Sequence, residues 1–193
     1  DDVGIVVPPR LAPTQVVVVP IWRTEEEGSA VLEKADGIRR RLSDHGIRVR
    51  VDDREHQSPG AKFWEWERKG TPFRIEIGPR DLEKNQAVVV RRVQLEGEDR
   101  KEFLPVDEVV GGMQDRLDTL QEGLFERARE RREENSVRGV GSIGELEEAL
   151  EGGAGFVYSG WSGDPEVEQE VKERTKATIR VIPDEEFRSP TPP

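Results

Sequence analysis

The feature that most constrains this chain is a run of consecutive apolar residues, VVVVPI, at positions 16–21. A strand with both faces buried has such an uninterrupted run, whereas a strand with one wet face alternates apolar and polar residues. In the next stretch, 26–45, apolar residues recur at intervals of four, three and four, which predicts an amphipathic helix. Gly46 ends this helix, and residues 47–51 alternate as a second strand. This order predicts a parallel β-α-β unit.

The following residues extend the same pattern. Ser58 is predicted to cap a short helix that runs to residue 69, and residues 73–77 and 87–90 are predicted as two further strands. The resulting β-α-β-α-β-β order, with crossover helices of ordinary length, indicates the α/β class.

A second region is predicted to begin at residue 105. Apolar residues between 110 and 124 follow helical spacing, so we expect one long helix with a highly charged, solvated end. Further along, we expect a short helix opened by Ser142, and two short strands at 155–158 and 177–182.

The predicted domain limits follow from these elements. Residues 15–104 form the first domain and residues 105–186 a smaller α/β domain. Residues 1–14 contain three prolines and are interpreted as the end of a preceding unit and a linker, and residues 187–193 as a disordered tail. The chain begins with Asp rather than Met, which favours a piece of a longer protein.

Composition excludes several function classes. The chain has 193 residues with 30 basic and 41 acidic side chains, a net charge of −11, which argues against a protein that coats duplex DNA. No stretch approaches the roughly 20 apolar residues that a membrane helix needs. There is no cysteine, and His45 and His56 stand alone, so neither a zinc site nor a nucleophile pair is expected. Residues 46–92 hold 11 basic and 8 acidic side chains, which fits either a local polyanion site or a chance fluctuation.

The string GVGSIG at 139–144 matches the glycine pattern of dinucleotide-binding turns. That pattern binds pyrophosphate only between a strand and a helix N-terminus. Because the preceding residues are predicted as the polar end of a long helix, we interpret the string as a flexible hinge. No catalytic constellation is predicted anywhere in the chain.

One segment, residues 62–83, concentrates aromatic and charged side chains (KFWEWERKGTPFRIEIGPRDLE). Arginine can donate to O6 and N7 of guanine, and glutamate can accept from its N1–H and amino group. Unpaired RNA bases offer these edges and also stack on aromatic rings. Glu67, Arg74 and Arg80 are therefore candidates for reading guanine, and the alternative is a salt-bridge cluster over aromatic core residues.

Three stretches make the chain resemble the C-terminal part of prolyl-tRNA synthetases of the archaeal and eukaryotic-like type. They are residues 1–21 (DDVGIVVPPRLAPTQVVVVPI), 51–83 (VDDREHQSPGAKFWEWERKGTPFRIEIGPRDLE) and 171–183 (VKERTKATIRVIP). The resemblance implies that the first stretch closes the catalytic domain. It implies next the mixed-sheet anticodon-binding domain of a class II aminoacyl-tRNA synthetase, followed by a small α/β C-terminal domain.

The resemblance also implies a partner and site residues. The family recognises the second and third bases of the proline anticodon, both guanines, and its base-reading residues fall on Glu67, Arg74 and Arg80. The full-length enzyme would use ATP and Mg²⁺ to attach proline to its tRNA, as a cytoplasmic homodimer formed through the catalytic domain. The chain contains none of the ATP-binding motifs, so alone it is expected to bind tRNA without catalysis and without a cofactor.

The chain departs from the family pattern at a zinc site. The first two zinc-ligand positions hold Ser162 and Val167, neither of which is a credible ligand, so we expect no zinc. Two other functions stay open. The same fold could serve as a stand-alone accessory or regulatory binding module, or as a flavodoxin-like domain that binds a small molecule at the carboxyl ends of its strands.

Overall fold

A computed structural model describes residues 4–95, 97 and 99–182 of the chain. The chain divides into two compact units between Phe125 and Glu126. The predicted tail, 187–193, lies outside the described residues. No helix among the described residues combines the length and the apolar character needed to cross a membrane.

The first unit is built on one five-stranded sheet. Its elements are β1 (Val16–Pro20), α1 (Glu25–Asp44), β2 (Val49–Val51), α2 (Pro59–Arg68), β3 (Phe73–Ile77), α3 (Pro79–Glu83), β4 (Gln86–Arg91), β5 (Lys101–Pro105), α4 (Val106–Gly111) and the first part of α5 (Met113–Glu134). The strand order is β2-β1-β3-β4-β5, with β1 parallel to β2 and β3, and with β4 antiparallel to β3 and β5. The predicted α/β class, with a mixed sheet, is confirmed.

The two faces of the sheet carry different cores. On one face, alternate residues of β1 and β3 pack with the apolar side of α1, which begins after the N-cap Thr24. On the other face, Val17 and Val19 of β1 pack with Trp66 and Phe63 of α2. Every residue of β1 is buried, as the apolar run predicted, because both faces of this central strand are covered.

The turn between α2 and β3 depends on Gly70. Its φ of +71° lies in the left-handed region, and a Cβ atom there would lie 2.7 Å from the carbonyl oxygen of Ile5. At the other end of α2, Ser58 caps the helix as predicted, since its side chain accepts a hydrogen bond from the amide of Ala61 at 3.3 Å. The cap and the turn therefore define the two ends of α2, and the turn connects it directly to β3.

The long helix predicted over the apolar residues 110–124 and the charged residues after them is α5, but Gly112 separates Val110 from it and leaves Val110 in the short helix α4. Glycine is a poor helix former, and two consecutive glycines favour a break. Apolar residues of α4 and of the start of α5 belong to the main core of the first unit. They are Val106, Val109, Val110, Met113, Leu117 and Leu120. For this reason the division between the units falls later in the chain than the predicted limit of 104/105.

The second unit contains β6 (Ser136–Val140), α6 (Ile143–Glu151), β7 (Phe156–Ser159) and α7 (Pro165–Thr175). Strands β6 and β7 pair in parallel, and α7 follows the N-cap Asp164, whose carboxylate accepts from the amide of Glu166 at 2.8 Å. The strand predicted at 177–182 is wrong, since these residues have no regular secondary structure. Their β-branched composition favours a strand, but no described strand pairs with them.

Candidate functional site

Arg74 lies in β3 on the face that α2 covers, and its side chain is only 10% exposed. Its Nε and one terminal nitrogen lie 3.0 and 2.9 Å from Oε1 of Glu76. Its guanidinium carbon lies 4.1 Å from the ring centroid of Phe63 in α2. The plane of the guanidinium is therefore held by a charged partner along one edge and by an aromatic face beneath it.

Glu67, near the end of α2, is the second member of this cluster. Its Oε1 lies 3.4 Å from the second terminal nitrogen of Arg74 and also accepts a hydrogen bond from Arg100. The structure thus brings together two of the three residues predicted from the sequence. They form an ion pair with each other, and the Glu67 side chain remains 20% exposed.

Two basic residues that the sequence did not single out complete the cluster. Lys101 in β5 lies 3.3 Å from the second carboxylate oxygen of Glu76, and Arg100 precedes it in the chain. Charges of opposite sign therefore alternate across the site. In spatial order they are Lys101, Glu76, Arg74, Glu67 and Arg100. A predicted strand β5, paired with β4, would have placed Lys101 opposite Val90 and so in the same row as Arg74, but the sequence analysis did not predict β5.

Arg80 is placed differently. It lies in α3, beyond the carboxyl end of β3, whereas Arg74 is near the start of that strand. The side chain is exposed and makes no hydrogen bond or ion pair with the described residues. The structure therefore does not bring Arg80 into the cluster of Glu67 and Arg74.

The cluster has the chemistry that a guanine edge requires. Guanine accepts hydrogen bonds at O6 and N7, and donates from N1–H and its amino group. Arg74 can donate and Glu67 can accept, so the Glu67–Arg74 pair offers both functions side by side.

Comparison with known proteins identifies the domain that carries this cluster. Residues 15–116 match the family described as "Anticodon binding domain". The chain belongs to the anticodon-binding domain family. Residues 143–193 match a second family, described as "Prolyl-tRNA synthetase, C-terminal". The two matches associate the chain with the C-terminal region of prolyl-tRNA synthetases.

Relatives agree with these matches. The chain is 43% identical over 183 residues to a proline–tRNA ligase of Salinibacter ruber, and 44% identical over 186 residues to proline–tRNA ligase 2 of Clostridioides difficile. It is 42% identical over 184 residues to a proline–tRNA ligase of the organism Cenarchaeum symbiosum. These alignments cover 95–96% of the chain and 36–37% of each relative, so the chain spans little more than a third of their length.

Elsewhere in the anticodon-binding domain, the buried carboxylate of Asp52 follows β2. It accepts hydrogen bonds from Arg54 and, at 2.7 Å, from the indole of Trp66, while Lys62 donates to its backbone carbonyl. Burial raises the pKa of Asp52, but the hydrogen bonds from Arg54 and Trp66 and the nearby positive charges outweigh burial and lower this pKa to about 2. Both carboxylate oxygens of Asp52 therefore accept hydrogen bonds from the protein itself. The bonds from Trp66 and Lys62 hold the loop after β2 against α2.

The glycine string at 139–144 lies in the second unit, beyond the anticodon-binding domain. The prediction that a helix precedes it is wrong, because β6 ends at Val140 and α6 begins at Ile143. Gly139, the first residue of the string, lies in β6 at an irregularity in the register with β7, and its φ of +78° is in the left-handed region. The amide of Gly141 donates to the carboxylate of Glu145 at 2.9 Å, so a side chain of the protein already occupies the position where a phosphate would bind.

The two zinc-ligand positions lie before and within α7. The hydroxyl of Ser162 accepts a hydrogen bond from the amide of Asp164 at 3.3 Å, and Val167 is 37% exposed. Among the described residues, no group of three or more His, Cys, Asp or Glu side chains is arranged to hold a metal ion.

Proposed function

We propose that this chain is the tRNA-recognition part of a proline–tRNA ligase, and that Glu67 and Arg74 read the two guanines of the proline anticodon. One observation carries the proposal. Within a matched anticodon-binding domain, these two residues form a pair of guanine-complementary groups beside an aromatic ring, and the Glu67 side chain is 20% exposed. Arg80, exposed on α3, is proposed as a further contact to the anticodon.

The ion pairs of Arg74 with Glu76 and Glu67 would be the arrangement of the site before RNA binds. Arg74 keeps its edge on Glu76, while its other terminal nitrogen exchanges Glu67 for O6 or N7 of the base. The carboxylate of Glu67, released from Arg74, accepts from N1–H or the amino group of guanine. Because a group of the base replaces each protein partner that is released, no buried charge is left without a partner.

The rest of the proposal concerns the whole protein. A full-length enzyme of the archaeal and eukaryotic-like type would activate proline with ATP and Mg²⁺ and transfer it to the 3′ end of the tRNA. It would act in the cytoplasm as a homodimer formed through its catalytic domain. We assign no residue of this chain to ATP, Mg²⁺ or zinc.

A two-by-two comparison of affinities tests the base-reading role. Arg74→Ala in the natural full-length protein is expected to cost about 1–3 kcal/mol of tRNA binding at fixed salt, the range for a good bidentate base contact. Changing an anticodon guanine to adenine replaces O6 by a donor and removes the N1 hydrogen. This change should weaken binding to the wild type much more than binding to the variant.

The matched control is Arg116→Ala. Arg116 has a half-buried side chain that pairs with Glu102 at 3.0 Å. Because Glu102 follows Lys101 in β5, the side chain of Glu102 points to the opposite face of the sheet from that of Lys101. This variant should retain the full preference for guanine. If the effects of Arg74→Ala and of the base change simply add, Arg74 does not read the base, and the cluster is a structural salt bridge.

A further inference from the structure

Phe103 in β5 is a large apolar side chain that remains 63% exposed. Strand register determines its position relative to the cluster. Val88 of β4 pairs with Glu76 on one side and with Phe103 on the other, so these three residues form one row across the sheet. Directly paired residues point to the same face. Phe103 therefore shares the face that carries Arg74 and Glu76.

A contact links the ring to the charged cluster. The ammonium of Lys101 lies 3.3 Å from Oε2 of Glu76 and 5.7 Å from the ring centroid of Phe103. The exposed ring thus lies beside a cation at the edge of the site, which suits a ligand that combines a flat aromatic group with negative charge.

Exposure alone would not distinguish this residue, because single exposed apolar side chains are common. Phe125 in α5 is 61% exposed, but no described cation lies against its ring. Phe103 differs because it shares a sheet face with Arg74, and because its neighbouring cation, Lys101, pairs with Glu76, the carboxylate that also binds Arg74.

We propose that Phe103 is a stacking platform for a third unpaired base of the anticodon loop, next to the two guanines. This inference rests on the proposed function, since it takes RNA as the ligand. Each base has a π-face, so stacking holds the nucleotide without reading its identity. The Glu67–Arg74 pair then reads the edges of the guanines, and the Phe103 ring in β5 stacks on a neighbouring base.

The experiment uses the natural full-length protein and an anticodon stem-loop RNA of proline tRNA, with dissociation constants measured at fixed salt. Phe103→Ala should weaken binding about 5-fold to 150-fold, the range for losing one base–aromatic stack. Phe103→Leu keeps an apolar side chain without a π-face and should be similarly weak, whereas Phe103→Tyr should bind as the wild type does. Phe125→Ala is the matched control and should leave the affinity unchanged.

The same variants are measured on an RNA with adenine in place of the second anticodon base. Phe103→Ala should weaken both RNAs by the same factor, because the platform does not read the base. The stacking proposal is overturned if Phe103→Leu binds the RNA as tightly as the wild type does. It is also overturned if Phe125→Ala binds the RNA as weakly as Phe103→Ala does. In either case the guanine preference of the wild type, and its loss in Arg74→Ala, would leave the proposed function intact. If the wild type shows no guanine preference, both proposals fail.

Discussion

At the scale of single residues, the site depends on Glu76, which the sequence did not single out. Its Oε1 binds two nitrogens of Arg74, and its Oε2 binds Lys101. An arginine held along one edge by a buried carboxylate has little freedom to rotate, so its remaining donors keep a fixed direction. If Arg74 reads the base as proposed, Glu76 is a positioning residue, which does not itself need to contact the base.

We expect Glu76→Gln to lower the preference for guanine over adenine about tenfold, because the loss of a charged hydrogen bond, on the order of 1.5 kcal/mol, frees Arg74 to turn. The measurement is the ratio of dissociation constants for the two stem-loop RNAs. Glu102→Gln is the control, since Glu102 pairs with Arg116 on the other face. A guanine preference equal in the two variants would contradict the positioning role of Glu76.

At the scale of elements, the network around Asp52 joins the end of β2 to α2. Trp66 and Lys62 of α2 both donate to Asp52, one to its side chain and the other to its backbone. Trp66 also packs on β1, so the same residue takes part in the apolar core and in the buried polar network. This network holds α2, and with it Phe63 and Glu67, against the sheet.

The lowered pKa of Asp52 predicts an acid-dependent loss of stability. A carboxyl group whose pKa falls from 3.8 unfolded to about 2 folded stabilises the native state above about pH 4, and this stabilisation is lost as the pH falls towards 2. Its size is about 2 kcal/mol. In urea unfolding, the difference in free energy between the wild type and Asp52→Asn should shrink by that amount from pH 6 to pH 2.

The matched control for this titration is Asp53→Asn, which removes an exposed carboxylate from the same loop. A difference between wild type and Asp52→Asn that stays constant over the whole range would show that Asp52 does not titrate as its hydrogen bonds imply.

At the scale of the whole molecule, the two units differ in how much apolar surface each buries. The first has a sheet with a core on both faces. Among the described residues after Phe125, Val140 is the one buried apolar side chain, while Phe156 and Val181 are more than half exposed. A two-stranded sheet with so little buried apolar surface is marginally stable. Zinc could stabilise such a unit, but the ligand positions hold Ser162 and Val167.

We therefore expect backbone amides of β6 and β7 to exchange with solvent much faster than amides of β1 and β3, in hydrogen exchange measured on the natural full-length protein. Exchange follows local opening, which costs less where few apolar groups are buried. Adding EDTA should not change the rates of either unit. Slower exchange in β6 than in β1, or rates in β7 that rise with EDTA, would show that a metal or another contact stabilises the second unit.

Local patterns predicted much of the first unit, because its residues interact with near neighbours in the chain. The apolar run at 16–21 became the buried strand β1, and Ser58 capped α2. Glu67 and Arg74 were predicted to act together, and they lie in contact. Periodicity, capping and a tight glycine turn depend on neighbouring residues, and the sequence displays all three.

Tertiary structure decided what depends on distant residues. Strand pairing brought Lys101 to Glu76 and aligned Phe103 with the site, although 25 residues separate Lys101 from Glu76 along the chain. Pairing with β7 made residues 136–140 a strand, while no described strand pairs with residues 177–182, four of which are β-branched. The sequence alone predicted Glu67, Arg74 and Arg80 as candidates for reading guanine. Only the folded sheet decided which of them meet, because a strand's neighbours are set by hydrogen bonds to other strands.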